Sequence, residues 1–343
     1  MNGTGRAAVL AGAGAWLPPQ VVTNHDLSLR LDTSDAWIRQ RTGIAERRVA
    51  APGTATSDLA VEAARQALKS AGTASVDAVV LTTTTPDRLC PATAPEVAAR
   101  LGLGTVPAFD VAAVCTGFLY ALAVSAGLIA AGTADRVLVI AAEVYSSIID
   151  PNDRGTAVIF GDGAGAVVLR AGSADEPGAL GPVVLGSDGE LGHLIQIPAG
   201  GSRQRKSGLP PAPGDEFFRM AGREVFRNAV ERMTAVCREA AEAVGWEPGN
   251  VDRLAAHQAN SRILQAVADR LGIEGGQVLS HIERVGNTGA ASLPLLLADS
   301  AAHGRLSPGD RVLLTAFGGG LTWGAATVVW PRLHIESPIR NEV

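Results

Sequence analysis

Apolar residues run along this chain in two alternating rhythms. Short apolar runs over residues 7–11, 76–81 and 136–142 have the length and branched content of buried strands. Between them, residues 58–71, 94–101 and 119–131 carry apolar positions at helical spacing, the second closed by Gly102. A hairpin is expected from strands 157–160 and 164–169 around Gly161-Asp162-Gly163. The second half repeats the alternation, with helices over 224–244 and 263–271 and strands over 251–256, 310–316 and 324–330. Strands alternating with helices predict a layered α/β fold. The letters themselves recur: Val97-Ala-Ala-Arg-Leu-Gly-Leu103 returns as Val267-Ala-Asp-Arg-Leu-Gly-Ile273, and Val76-Asp77 as Val251-Asp252. An internal duplication follows, with halves over 1–172 and 173–343. Residues 198–214, rich in Gly, Pro and basic side chains, read as a loop.

Composition narrows the classes. The 343 residues are 47% hydrophobic and 18% charged, enough for a large core, with a net charge of −5. That balance argues against nucleic acid as a partner, so any acidic partner must meet a local basic patch. Cys90, Cys115 and Cys237 are odd in number and unpatterned, and residues 1–6 have no leader pattern, which points to the cytoplasm. No run approaches the ~18 apolar residues a membrane span needs.

Cys115 is the residue with the most chemistry around it. An apolar run over 106–114 precedes it and a small-residue helix follows, which puts a thiol at a strand-to-helix turn. Helix N-termini carry partial positive charge and free N–H groups, and both stabilise a thiolate. Alone, such a cysteine reads as core. The segments around His257 (Ala255 to Arg262) and Asn287 (Val285 to Ser292) change that reading. A Cys, a His and an Asn at three separate strand or loop ends suit thioester chemistry: the thiol carries an acyl group, and the other two hold a carbonyl or oxyanion. Gly12-Ala13-Gly14 imitates a dinucleotide loop, but Leu17-Pro18-Pro19 forbids the helix that loop requires. Gly161 to Gly165 lacks the P-loop lysine and reads as close packing. His25, His193, His281 and His303 show no metal-ligand spacing, and His281 is left as a neighbour of the Asn287 loop. Trp37 beside Arg39 and Arg41 reads either as a surface patch or as a place for stacking on a purine and pairing with phosphates.

These segments, with Phe160-Gly-Asp-Gly-Ala-Gly-Ala166, Phe317-Gly-Gly-Gly-Leu-Thr-Trp-Gly324, Thr33 to Ile38 and Arg41 to Ile44, resemble the β-ketoacyl-ACP synthase III family nearly end to end. The resemblance implies the thiolase fold, two similar halves in a five-layer αβαβα sandwich, and a homodimer. It implies that Cys115 takes an acyl group from acyl-CoA, and that His257 and Asn287 bind the malonyl-ACP thioester and stabilise its enolate. The N–H groups of Cys115 and Gly319 are then the oxyanion hole. Trp37, Arg41, Arg154 and Asn260 fall at CoA-binding positions, Leu89, Cys90 and Phe317 at the acyl pocket, and Arg227 and Arg262 at the carrier-protein contact. No metal or cofactor is implied. Cys90 stands where acetyl-using members often have Phe, contributed across the dimer, and Arg223 stands where the family has Asn. The small Cys90 side chain favours a deeper pocket and priming of aromatic polyketide synthesis with a short non-acetate starter. Fatty-acid initiation with acetyl or branched primers, and acyl transfer to a hydroxyl, are the alternatives.

Overall fold

The computed structural model describes residues 6–338; residues 1–5, read above for a leader pattern, and 339–343 lie outside the described residues. The first half runs β1 (Ala7–Trp16), α1 (Asp35–Thr42), α2 (Thr56–Ser70), β2 (Ala78–Thr82), α3 (Ala94–Arg100), β3 (Ala108–Val111), α4 (Gly117–Ala130), β4 (Arg136–Glu143) and β5 (Gly163–Gly172). Then come β6 (Val184–Ser187), α5 (Gly222–Glu242), β7 (Arg253–Ala256), α6 (Ser261–Leu271), α7 (Ser292–Ala302), β8 (Arg311–Gly318) and β9 (Thr322–Val329).

The strand pleat explains the layers. In β4, Val137, Val139 and Ala141 join the central core, while Leu138, Ile140 and Ala142 pack with α2 and α3 on the other face. In β8, Val312, Leu314 and Ala316 face the centre and Leu313 packs with α5 and α6. Strands covered on both faces read as continuous apolar runs. Between the sheets lie α4, through Phe118, Leu119, Leu122 and Ile129, and α7, through Leu293 and Leu295 to Leu297. Helix α4, Gly-Phe-Leu-Tyr-Ala-Leu-Ala-Val-Ser-Ala-Gly-Leu-Ile-Ala, has no charged side chain, as a helix enclosed between two sheets requires. The layers are thus α2 and α3, the first sheet, α4 and α7, the second sheet, then α5 and α6.

The repeated letters correspond to repeated topology. The first sheet has the order β1-β5-β4-β2-β3 and the second β7-β8-β9-β6. Strand β4 runs parallel to β2 and antiparallel to β5, which pairs antiparallel with β1. Strand β8 likewise runs parallel to β7 and antiparallel to β9, which pairs antiparallel with β6. A parallel bridge between Leu254 and Val278 stands where the first sheet has β3.

Two expectations change. The strand at 157–160 does not form: Asp153 accepts from Gly155 N–H and caps a short helix, Arg154–Ala157. Phe160 then makes a single parallel bridge to Asn287, and β5 pairs with β1 and β4 instead. Within 198–214 a short helix forms at Ser202–Arg205.

Gly12 and Gly14 prove to be packing residues. Strand β1 lies so close to α2 that a Cβ on Gly12 would sit 2.5 Å from Ala71 N, and one on Gly14 2.4 Å from Ala67 N. Gly14→Ala should therefore destabilise the fold by about 1–3 kcal/mol, the range for overpacking. Thermal unfolding measures it, and an unchanged Tm would show that α2 gives way freely.

Candidate active site

Cys115 lies in a single tight turn, Val114–Thr116, that runs straight into α4. The helix begins at Gly117, closer to the thiol than the apolar pattern predicts. Val114 has φ 47°, a left-handed conformation that a β-branched residue adopts only when its surroundings impose it. Those surroundings are the turn between β8 and β9. Thr322 Oγ1 lies 3.2 Å from Ala113 O, 3.1 Å from Thr116 Oγ1 and 3.0 Å from Gly319 O. A Cβ on Gly318 would come within 2.8 Å of Cys115 N, so this approach requires glycine.

Cys115, His257, Asn287, Phe317 and Gly318 line one cavity of ≈ 40 Å³. Asn287 is fixed through its backbone: its N–H donates to Ile159 O at 2.9 Å, and its carbonyl accepts from Gly161 N–H at 3.0 Å. Its side-chain oxygen accepts from Gly289 N–H at 2.9 Å, which orients the carboxamide and leaves its NH₂ as the donor end. His257 follows β7, and its ring Nδ1 lies 2.6 Å from Ser292 Oγ at the start of α7. Ser292 Oγ also accepts from Gln258 N–H at 3.2 Å. With the Ser292 proton given to Nδ1, the imidazole proton sits on Nε2. Burial lowers the His257 pKa to about 4, so the ring is a neutral N–H donor.

The thiol departs from the simplest expectation. Burial pushes Cys115 up to about 12, and the nearby Glu143 carboxylate adds to the rise. The N-terminus of α4 pulls the other way, but local sequence shows only that half of the balance. Glu143 and Tyr145 were not singled out from sequence. Tyr145 is fully buried, with its hydroxyl 3.9 Å from Cys115 Sγ. The chain has two tyrosines, and a lone phenol just past an apolar strand was the available signal. Ser292 lies in the Asn287 segment, where the sequence alone gives a serine no role.

Outward, the cavity continues through a space of ≈ 380 Å³ that Asn287, Ala259, Met220, Phe226 and Asn260 help line. Beyond it lies a cleft of ≈ 610 Å³ lined by Trp37, Arg41, Arg223, Phe226, Asn260 and Arg262. Arg41 and Arg154 both place their guanidinium carbons near the Trp37 ring centre, at 4.6 and 4.9 Å. Arg154 also donates to Asp32 O at 2.8 Å. Asn260 caps α6 by accepting from Arg262 N–H and donates to Arg41 O, each at 2.9 Å. Arg223, Arg227 and Arg262 are exposed. A Cβ on Gly319 would meet Ile195 at 3.0 Å and Val114 at 3.3 Å, beside the thiol turn. Leu89 and Cys90 are exposed and do not line the thiol's cavity within this chain. His281 is buried outside the cavity, its N–H donating to Gln258 Oε1 at 3.1 Å. Among the described residues, no three His, Cys, Asp or Glu side chains are grouped to hold a metal ion, and no helix is long and apolar enough to cross a membrane.

A buried sulfur beside two neutral donors can hold a thioester carbonyl next to a nucleophile. Two like sheets around a shared pair of helices make the architecture the thiolase fold. Comparison with known proteins carries this from class to family. Residues 109–189 match the family described as 3-oxoacyl-[acyl-carrier-protein (ACP)] synthase III, and residues 241–330 match its C-terminal part. The chain is 58% identical over 327 residues to β-ketoacyl-[acyl-carrier-protein] synthase III 5 of Streptomyces coelicolor, covering 95% of this chain and 98% of that protein. The crystal structure of 3-oxoacyl-(acyl carrier protein) synthase III, FabH, from Pseudomonas aeruginosa PAO1 superposes with a TM-score of 0.90 at 48% identity, over 96% of this chain and all (100%) of that one. The priming β-ketosynthase of the R1128 polyketide pathway gives 0.88 at 34% identity, over 95% and 97%. The chain belongs to the β-ketoacyl-ACP synthase III family of condensing enzymes.

The balance at the thiol is measurable. With burial dominant, alkylation of Cys115 by iodoacetamide, followed on its tryptic peptide, should climb by about tenfold per unit between pH 7 and 9. A plateau reached below pH 8 would show that the helix N-terminus outweighs burial.

Proposed function

We propose that this enzyme condenses a short acyl-CoA primer with malonyl-ACP, through an acyl-Cys115 intermediate, to give a 3-ketoacyl-ACP. The observation that carries this reading is the chain of adjoining spaces from Trp37 and Arg41 to Cys115, with His257 and Asn287 beside the sulfur. The outer cleft suits the nucleotide end of CoA: an indole for the adenine, and Arg41, Arg223 and Arg262 for phosphates. The narrow inner passage suits a pantetheine arm.

In the first half-reaction, Cys115 sulfur attacks the primer carbonyl and CoA leaves. The carbonyl oxygen, negative in the transition state, is met by the N–H groups of Cys115 and Gly319. In the second, malonyl-ACP places its thioester oxygen between His257 Nε2–H and the Asn287 NH₂. Loss of CO₂ leaves an enolate that these donors stabilise as it forms. The enolate carbon attacks the acyl-cysteine, the 3-keto product forms and the thiol is released. Neutral donors avoid burying a net charge opposite the enolate. The reaction requires no metal or cofactor.

The finer points are proposals of the same kind. Relatives 58% and 50% identical are named β-ketoacyl-[acyl-carrier-protein] synthase III, against 34% identity for the R1128 priming enzyme, which supports initiation of fatty-acid synthesis over polyketide priming. We propose a homodimer in which edge strand β3 and the exposed loop carrying Leu89 and Cys90 are covered by a partner. Each half, 1–172 and 173–343, would supply one side of the site. Three free cysteines suit the reducing cytoplasm.

Incubation with acetyl-CoA should add one acetyl mass to Cys115, and malonyl-ACP should discharge it as 3-ketoacyl-ACP. No adduct with any short acyl-CoA would overturn the reading. His257→Ala and Asn287→Ala should each slow malonyl decarboxylation by about 10²-fold or more. Decarboxylation by Cys115→Ala should stay flat from pH 8 down to about 5.5, because His257 is neutral above its lowered pKa of about 4; an acid limb near 6.5 would reject that assignment. Reversing Arg227 and Arg262 to Glu should raise the KM for malonyl-ACP, and the wild-type KM should rise with salt. A salt-independent KM, unmoved by both reversals, would place carrier recognition elsewhere.

A further inference from the structure

The site as described has no base for the Cys115 proton. On the proposed reading His257 donates from Nε2 and meets Ser292 at Nδ1, which leaves its imidazole no free lone pair to offer. A line of hydrogen bonds leads away from the thiol on another path. Cys115 Sγ lies 3.9 Å from the Tyr145 hydroxyl. That hydroxyl donates to Thr84 Oγ1 at 3.3 Å, and Thr84 Oγ1 donates to Glu143 Oε1 at 3.2 Å. Each hydroxyl gives its one proton onward toward the carboxylate, which leaves the Tyr145 oxygen as acceptor for the S–H.

We propose that Tyr145 and Thr84 relay the Cys115 proton to Glu143, and that Glu143 stores it while the cysteine is acylated. The inference rests on the acyl-cysteine reading above. During acylation the sulfur–acyl bond forms and the S–H proton moves to the Tyr145 oxygen. The Tyr145 proton moves to Thr84, and the Thr84 proton to Glu143. CoA departs as thiolate and takes a proton from water. During condensation the acyl–sulfur bond breaks, the departing Cys115 thiolate recovers a proton from Tyr145, and the shifts reverse until Glu143 is again a carboxylate. Over the cycle one proton is consumed, the one that CoA keeps.

The surroundings suit a store rather than a simple structural carboxylate. Glu143 is fully buried and has no Lys or Arg partner among its hydrogen bonds; its oxygens accept from Thr84 N–H at 2.9 Å and Ala290 N–H at 3.3 Å, with the Thr83, Thr84 and Thr85 hydroxyls between 3.2 and 3.4 Å. Burial raises its pKa to about 7, where either protonation state is accessible. The titratable groups acting on the thiol are Glu143 and Tyr145, and those acting on Tyr145 are Cys115 and Glu143; His257 shares the thiol's cavity. The ring is held in register. Tyr145 stacks on Phe160 at 4.6 Å and meets Phe218 edge-on at 5.6 Å. Gly289 leaves space for it: a Cβ there would lie 2.3 Å from Tyr145 Cε2 and 3.0 Å from Glu143 Oε1.

Single-turnover acylation of Cys115 by acetyl-CoA, quenched and weighed between pH 5.5 and 9, tests the relay. Wild type should lose rate as pH falls through about 7, because protonated Glu143 cannot accept. Tyr145→Phe keeps the ring but removes the hydroxyl; at pH 8 it should acylate about 10²-fold more slowly, the scale of general-base catalysis. Glu143→Gln should be similarly slow and lose the limb near pH 7, and the double variant should be no slower than either single one. A purely structural role predicts a lowered Tm, an unmoved limb and additive losses. Wild-type rates in Tyr145→Phe, or a wild-type profile without the limb, overturn the relay whether or not Glu143→Gln folds. If wild type forms no adduct with any acyl-CoA, the function itself has failed; normal acylation in Tyr145→Phe removes only the relay.

Discussion

The site depends on two helices that have nowhere to go but the interior. Helix α4 has no charged side chain and α7 only Asp299, so both are driven between the sheets. Once enclosed, they cannot shift by even a methylene without disturbing both sheets. Their N-terminal ends deliver the working groups: Cys115 precedes α4, while Asn287 and Ser292 lie at the approach to α7. A hydrophobic constraint thus fixes the separation of Cys115 from Asn287 and Ser292, although they come from distant stretches of chain.

Enclosure also sets the electrostatics. The same removal from water keeps His257 neutral, raises Cys115 and raises Glu143, each toward its uncharged form. On the proposed reading the resting site holds the Glu143 carboxylate, and the charges of the reaction appear only transiently, against N–H donors. Donors fixed in advance need not reorganise, which is where such sites gain most of their rate.

Much of this was legible in the chain. Cys115 and His257 stood out because each follows an apolar segment, Asn287 because it sits in a glycine-punctuated loop leading into a helix, and the layered α/β class followed from two periods alternating twice. What was hidden was relational. Asp153 caps a helix over Arg154–Ala157, and β1 and β4 take both edges of β5, so no strand forms at 157–160. The thiol's raised pKa depends on burial by residues far along the chain, which no local window contains. Ser292, Glu143 and Tyr145 matter through partners 35, 59 and 30 positions away. Gly12 and Gly14 carried a familiar spacing whose cause is the approach of α2.

The outer cleft has its own consequence. The Trp37 ring already has Arg41 and Arg154 within cation–π range, and Arg154 is anchored on Asp32. On the proposed reading, an arriving adenine does not settle on a bare surface; it exchanges with a guanidinium already stacked there. The net gain is the difference between two contacts of similar strength. Such an exchange keeps the nucleotide loosely held at both ends of its visit, so spent CoA leaves readily and clears the passage for the carrier-borne substrate that must follow it.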